Sequence, residues 1–183
     1  MDDLEALHTL LRARSVRQGD FVLASGRKST YYIDARLTTM SAEGQALIGS
    51  AGLAAIRAKG WKPAAIGGLT LGADPVAYAV ARASLASGDV IDAFSVRKEA
   101  KKHGTGKKIE GNFTPGIAVV IAEDVITSGG SALQAIEAIR AEGGTILGVL
   151  AIVDREEGGT ERLAKWPFYP LFRKSEIFVA PST

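Results

Sequence analysis

The chain has 183 residues, 46% of them hydrophobic and 23% charged, which suits a single globular domain with a full core. It has no cysteine and only His8 and His103, so a disulfide framework, a thiolate site and a histidine-rich metal centre are excluded. The net charge of +2 gives no argument for nucleic acid, and no apolar run approaches the roughly 20 residues of a membrane span. The acidic N-terminus is unlike a signal peptide, so we expect a cytoplasmic protein.

The spacing of apolar residues predicts strands that alternate with helices. The first part should contain an amphipathic helix (2–14), a hairpin (strands 21–23 and 31–33 around a turn at 25–29) and a helix from Ser41 to Lys59. Further on we expect a strand (64–68), a helix (75 to about 86), a strand (90–96), a basic loop (97–111), a strand (117–122), a helix (130–141) and a strand (145–153). The aromatic tail, 166–183, should form an accessory strand and turn that cover an edge of the site.

This alternation predicts an α/β fold with a mainly parallel central sheet flanked by helices. Ligands of such sheets bind at the carboxyl ends of the strands. Three loops should therefore converge at that edge, formed by residues 69–73, 123–131 and 154–159.

Residues 119–131 combine a β-branched run, the acids Glu123 and Asp124, and a small-residue turn that opens a helix. A helix N-terminus offers unpaired N–H groups to an anion. Two carboxylates would repel a phosphate and suit hydroxyls or a metal instead. A ligand with both a phosphate and a diol, such as a ribose 5-phosphate, fits both halves. The alternative is an ordinary strand, turn and helix with incidental acids.

A second unusual stretch, 97–108, holds six basic residues against the single acid Glu99. Such runs are usually solvated surface. This one directly follows a predicted core strand, contains His103, and has glycines nearby that imply mobility.

These two stretches resemble signatures of the type I phosphoribosyltransferases. Residues 119–131 resemble the family's motif for phosphoribosyl pyrophosphate (PRPP), and Arg97-Lys98-Glu99-Ala100-Lys101-Lys102-His103-Gly104-Thr105-Gly106 resembles the R-K-E-x-K-x-H-G-x-G loop of orotate phosphoribosyltransferases. Supporting matches lie at 25–34 and at Asp154-Arg155-Glu156. Gly72 and Ala24 stand where some members have lysines, so a side-chain contact to PRPP from those two places is in doubt.

The resemblance implies a single domain, 1–183, with a hood from about 1–40 and 160–183. It implies transfer of the phosphoribosyl group of PRPP to orotate, which gives orotidine 5-phosphate and pyrophosphate in de novo pyrimidine (UMP) biosynthesis. It also implies Mg²⁺ carried mainly by PRPP or pyrophosphate, with no protein ligand of the metal assigned. The expected partner is a second copy of the chain, whose 97–108 loop completes the neighbouring site; no nucleic acid or membrane is expected.

The candidate site residues fall into three groups. The catalytic group, suited to neutralise the leaving pyrophosphate, is Arg97, Lys98, Lys101 and His103. The PRPP-binding group is Thr70, Leu71, Gly72, Glu123, Asp124, Val125, Ile126, Thr127, Ser128, Gly129, Gly130 and Ser131. The orotate-binding group is Tyr32, Ile33, Thr127 and Arg155. For Arg155 an ion pair with a nearby acid such as Glu156 is the alternative, and for the tyrosines it is hairpin core.

Three other functions compete with this interpretation. A transferase for another base would carry a different basic loop. A non-catalytic RNA-binding regulator on the same fold should lack the loop's basic residues or show a wide basic face. A dehydrogenase needs a Gly-x-Gly-x-x-Gly turn, which residues 67–72 match poorly.

Overall fold

The computed structural model describes residues 2–22, 26, 28–99 and 108–178. Its strands are β1 (Val16–Val22), β2 (Lys28–Ile33), β3 (Ala65–Leu69), β4 (Asp92–Val96), β5 (Ile109–Gly111), β6 (Ala118–Ile126), β7 (Thr145–Asp154) and β8 (Phe168–Arg173). Its helices are α1 (Asp3–Ser15), α2 (Arg36–Thr39), α3 (Ala42–Ala58), α4 (Ala73–Leu85), α5 (Gly130–Ala141), α6 (Gly159–Arg162) and α7 (Lys174–Ile177).

Six strands form the central sheet in the order β5-β4-β3-β6-β7-β8. All neighbouring pairs are parallel except β4 with β5. Strands β1 and β2 form a separate antiparallel pair. The predicted α/β fold with a mainly parallel sheet is confirmed, whereas the division into a core and a hood stays a prediction.

Both faces of the sheet are covered by helices, because strands that are apolar on both faces must be buried on both. On one face Val120 and Ala122 of β6 belong to the cluster that includes residues of α1, α3 and α4. On the other face Val119 and Ile121 pack in the cluster that includes α5. Because both faces of the sheet are covered, a ligand can reach the sheet only at the ends of the strands.

Several elements differ from the sequence prediction. Strand β6 continues through both acids to Ile126, because it pairs with β7 along that whole length. The region expected to be a loop up to residue 111 contains β5, which pairs with β4. The tail strand is part of the central sheet, since β8 pairs with β7. Residues 23–25 and 27 of the predicted hairpin lie outside the described residues.

Among the described residues, no helix is long and apolar enough to cross a membrane. The cytoplasmic location stays a prediction.

Candidate active site

The three predicted loops meet at the carboxyl ends of β3, β6 and β7. The Arg155 N–H donates to the Ile126 carbonyl at 2.9 Å, which ties the loop after β7 to the end of β6. Gly159 packs so closely on Ile126 that a Cβ there would lie 2.2 Å from the Ile126 Cγ2. On the other side, a Cβ at Gly72 would lie 2.6 Å from Asp124 Oδ1. The loop after β3 therefore touches the acid pair directly.

The turn after β6 has the features of an anion site. Gly129 adopts a φ of +74°, which favours glycine, and no side chain caps the N-terminus of α5. Its first N–H groups are thus available to a ligand. The side chains of Thr127, Ser128 and Ser131 are exposed around them.

This turn borders an open cavity of about 460 Å³. Its lining consists of Leu69, Lys98, Val125, Ile126, Thr127, Ser128, Gly129, Gly130, Ser131 and Gln134. Gln134 was not predicted from the sequence, although it lies one helical turn beyond Gly130, on the same face of α5. Its Nε2 donates to the Lys98 carbonyl at 3.1 Å, so it links α5 to the start of the basic loop.

Glu123 is a buried carboxyl, only 3% exposed. Within the described residues no group donates to its Oε1. Burial, together with the neighbouring Asp124 charge, raises the pKa of Glu123 to about 8. At neutral pH the carboxyl is therefore protonated, and it can both donate to and accept from a hydroxyl.

Asp124 is less enclosed than Glu123 and lies against Gly72. Its Oδ1 accepts from the Val125 N–H at 2.8 Å. Burial raises the pKa of this carboxyl, while hydrogen bonds from the backbone and the positive charge of Arg36 oppose that rise. Arg36 in turn forms a two-point contact with Asp34, at 2.8 and 3.1 Å. The contact between Asp34 and Arg36, just after β2, therefore holds a positive charge near Asp124.

A network around Asp74 holds the loop after β3. Thr70 Oγ1 donates to Asp74 Oδ2 at 2.6 Å, and Ser95 Oγ donates to Asp74 Oδ1 at 2.6 Å. The Thr70 N–H also donates to the Val96 carbonyl at 2.9 Å. These contacts fix Thr70 and Gly72 beside the first turn of α4, while the side chain of Leu71 is exposed. The role of Ser95 was missed because nothing in a strand sequence indicates which residue faces a neighbouring loop.

Arg155 lies in a pocket with Glu157 and Tyr31. Its Nη2 is 3.1 Å from Glu157 Oε1, and both side chains are mostly buried, at 12% and 13% exposed. The guanidinium lies over the Tyr31 ring at 5.5 Å, and Tyr31 Oη donates to Glu157 Oε1 at 3.3 Å. The alternative of an ion pair between Arg155 and a nearby acid is therefore present, but the acid is Glu157 and not the expected Glu156. Glu156 instead accepts from the Ser175 N–H and Oγ at the start of α7.

Of the predicted base-lining residues, Tyr32 lies on the opposite face of β2 from Tyr31, whereas Ile33 lies on the same face as Tyr31. Tyr32 is 40% exposed and packs on Phe21 at 5.7 Å between ring centroids. Ile33 is part of the core, and a role for either residue in lining the base stays a prediction. Tyr31 is the tyrosine that contacts Arg155, and its ring also packs on Phe178 at 4.7 Å.

The basic loop leaves the sheet through a paired stem. The Arg97 N–H donates to the Lys108 carbonyl at 2.9 Å, and Arg97 Nε lies 3.0 Å from Glu110 Oε1. Lys98 is exposed and lines the cavity. Arg97 is thus engaged at the stem, while Lys101 and His103 lie outside the described residues.

Comparison with known proteins gives the same class as the site. The sequence matches the phosphoribosyl transferase domain family over residues 39–180. The chain is 47% identical over 182 residues to an orotate phosphoribosyltransferase of Aquifex aeolicus, with 97% of this chain and 98% of the relative covered. It is 48% identical over 169 residues to that of Rhodopirellula baltica, with 89% and 86% covered.

A solved structure gives the same result. Orotate phosphoribosyltransferase of Mycobacterium tuberculosis in complex with PRPP has a TM-score of 0.83 at 35% identity, over 97% of this chain and 100% of that one. The chain belongs to the phosphoribosyltransferase family, and within it to the orotate phosphoribosyltransferases. The resemblance seen at residues 97–106 and 119–131 is confirmed.

Proposed function

We propose that this chain transfers the 5-phosphoribosyl group of PRPP to orotate, forming orotidine 5-phosphate and pyrophosphate. In this reaction the bond from ribose C1 to the pyrophosphate oxygen breaks, and C1 bonds to a ring nitrogen of orotate. The observation that supports the proposal best is the juxtaposition of an uncapped helix N-terminus with two adjacent carboxyls at the end of β6. The strong identity to named orotate phosphoribosyltransferases supports the choice of base.

The ribose 5-phosphate is assigned to the turn from Thr127 to Ser131. The N–H groups at the start of α5 and the exposed hydroxyls of this turn donate to phosphate oxygens. Glu123 and Asp124 bind the ribose 2- and 3-hydroxyls. The protonated state of Glu123 suits this role, because two adjacent charged carboxylates would repel each other and the anionic substrate.

The pyrophosphate is assigned to the backbone of Thr70, Leu71 and Gly72 and to the basic loop. Asp74 holds the first of these loops through Thr70, so its amides are preorganised. Lys98, Lys101 and His103 neutralise the charge that develops on the leaving pyrophosphate, and a closed loop excludes water. For Lys101 and His103 this assignment follows from the family resemblance.

Mg²⁺ is proposed to arrive with PRPP and to leave with pyrophosphate. Within the described residues, no group of three or more His, Cys, Asp or Glu side chains could hold a metal ion. One or two carboxylates with substrate phosphates are a usual Mg²⁺ environment, and Asp124 beside the phosphate turn fits it. The ion, when bound, supplies positive charge to the pyrophosphate oxygens.

Orotate is assigned to the pocket of Arg155, whose planar fork suits a carboxylate. Tyr31 supplies an aromatic face in the same pocket.

A homodimer in which the loop of one subunit completes the neighbouring site belongs to the same proposal. Five large apolar side chains support it, because they are 45–63% exposed on or next to α2 and α4. They are Leu37, Met40, Leu71, Tyr78 and Leu85. Gln45 Nε2 on α3 links the end of α2 to the first turn of α4 by donating to the Thr39 and Pro75 carbonyls.

A direct assay tests the proposed reaction. We expect orotate absorbance to fall when PRPP and Mg²⁺ are added to the protein, and Asp124→Asn to raise the KM for PRPP. Turnover of a purine base without turnover of orotate would contradict the choice of base and leave the reaction type standing.

A further inference from the structure

The pocket of Arg155 contains an acid of the chain itself at the place where a substrate carboxylate is expected. Glu157 Oε1 lies 3.1 Å from Arg155 Nη2 and accepts from Tyr31 Oη at 3.3 Å. The sequence does not indicate that Glu157 pairs with Arg155, because Asp154, Glu156 and Glu157 all lie within two residues of this arginine. Resting on the assignment of Arg155 to orotate, the geometry points to a further role for Glu157.

The guanidinium of Arg155 is mostly enclosed by protein in this arrangement. Its Nε and Nη2 atoms, which form the fork that grips a carboxylate side-on, are buried. Among the described residues, no group accepts an aligned hydrogen bond from either atom, so Glu157 holds the guanidinium by charge and proximity. A buried donor without an acceptor is unfavourable, and a ligand that accepts from it gains correspondingly.

The charges lead to the same conclusion. The mostly buried Arg155 has its positive charge balanced in part by Glu157, so less of that charge is available to an anionic base. A second carboxylate brought to Arg155 meets the negative charge of Glu157 at close range, which is unfavourable at low dielectric. Glu157 and the substrate carboxylate therefore compete for the same guanidinium.

We propose that Glu157 acts as an internal stand-in for the carboxylate of orotate. In the free protein it occupies Arg155, and orotate binds by displacing it. Tyr31 keeps Glu157 in place through its hydroxyl, and its ring supports the guanidinium from one side. This arrangement makes the site selective for bases that carry a carboxylate, because only a strong acceptor can displace Glu157 from Arg155. A base of similar shape without a carboxylate leaves the pair of Arg155 and Glu157 intact.

The test is the substitution Glu157→Gln, which keeps the size and removes the charge. We expect the KM for orotate to fall about threefold to tenfold, because the competing charge is gone, while the KM for PRPP stays the same. The inhibition constant of uracil, which has the same ring without the carboxylate, should change less than the orotate KM. Tyr31→Phe removes the hydroxyl that holds Glu157 and should change the orotate KM in the same direction by a smaller factor.

Glu156→Gln is the matched control, since this neighbouring acid contacts Ser175 and is exposed. It should leave the KM for orotate unchanged. A rise, or no change, in the orotate KM of Glu157→Gln would overturn the proposal; a rise would make Glu157 a residue that positions Arg155 for the substrate.

The assignment of Arg155 is tested separately. Arg155→Gln should weaken orotate strongly, and in that background Glu157→Gln should have no further effect. If Arg155→Gln leaves the orotate KM unchanged, the base-site assignment itself fails. If Arg155→Gln weakens orotate but Glu157→Gln does not tighten it, only the stand-in role fails.

Discussion

Glu123 has an environment unlike that of an ordinary surface acid. Its pKa is raised from 4.5 to about 8 because it is buried beside Asp124. In the unfolded chain this carboxyl ionises near 4.5, whereas in the folded protein it keeps its proton until about pH 8. Its contribution to stability is thus fully present below pH 4.5 and is lost as the pH rises toward 8.

We therefore expect Glu123→Gln to remove part of this pH dependence. One pKa unit corresponds to about 1.4 kcal/mol, so the raised pKa costs a few kcal/mol of the free energy of unfolding above pH 8. The variant should lose less stability than the parent between pH 5 and pH 8.5 in urea unfolding. Glu137→Gln, on the exposed face of α5, is the control and should follow the parent. Parallel curves for Glu123→Gln and the parent would show that Glu123 is already ionised at neutral pH.

Gly72 tests the contact between the loop after β3 and the acid pair. The residue has a φ of −65°, which suits any amino acid, so replacing it causes no backbone strain. A Cβ would nevertheless lie 2.6 Å from Asp124 Oδ1 and force the carboxylate to move. We expect Gly72→Ala to raise the KM for PRPP about tenfold, because positioning errors of this size are costly in a preorganised site. Thermal unfolding should change little, and an unchanged KM would show that Asp124 has room to shift.

Among individual residues, the sequence indicated Arg155, Glu123 and Asp124 as candidates because each stands near a strand end in a recognisable motif. It did not identify Glu157 as the partner of Arg155. Two acids follow Arg155 directly, and the φ of +56° at Glu156 decides which of them turns toward the guanidinium. A choice between neighbouring residues of the same type depends on the path of the turn, which composition does not determine.

At the scale of elements, strands and long helices were predictable and their ends were not. The apolar run of β6 indicated a strand, but the acids seemed to end it. Pairing with β7 out to Asp154 carries the strand three residues past Glu123. Strand β8 was expected only as an accessory strand because its aromatic sequence has no clear period, and its pairing with β7 makes it the edge strand of the central sheet.

The loop after β3 depends on a contact from another element. Ser95 on β4 donates to Asp74 at the start of α4, and Asp74 accepts from Thr70 in the loop. We expect Ser95→Ala to lower the free energy of unfolding by about 1 kcal/mol and to raise the KM for PRPP several-fold, because the loop loses one of its two supports. The KM for orotate should be less affected. Tyr78→Phe, which removes only the outer hydrogen bond to Ser95, should have the smaller effect of the two.

At the scale of the whole molecule, the exposed apolar side chains on and next to α2 and α4 predict self-association. Met40→Glu places a charge among them without touching the site residues. We expect it to shift sedimentation from dimer toward monomer at low micromolar concentration. Lys62→Glu, at an exposed position before β3 and therefore at the opposite edge of the sheet from Met40, is the charge control and should sediment like the parent. Identical sedimentation of Met40→Glu and the parent would remove this surface from the interface.

The proposed dimer matters for function because the basic loop is expected to act on the neighbouring site. Lys101→Ala alone should lower kcat far more than it changes the KM for PRPP, as loss of a transition-state contact does. Asp124→Asn alone should impair PRPP binding at its own site.

Mixing these two variants tests the exchange of loops. When equal amounts are unfolded and refolded together, about half of the dimers contain one subunit of each kind. If the loop acts in trans, each mixed dimer has one site with both native residues and one site with neither, so the mixture regains about a quarter of the parent activity. If the loop acts in cis, each site keeps one defect and the mixture remains as inactive as its components. Recovered activity that rises with the fraction of mixed dimers is therefore the result that a shared active site requires.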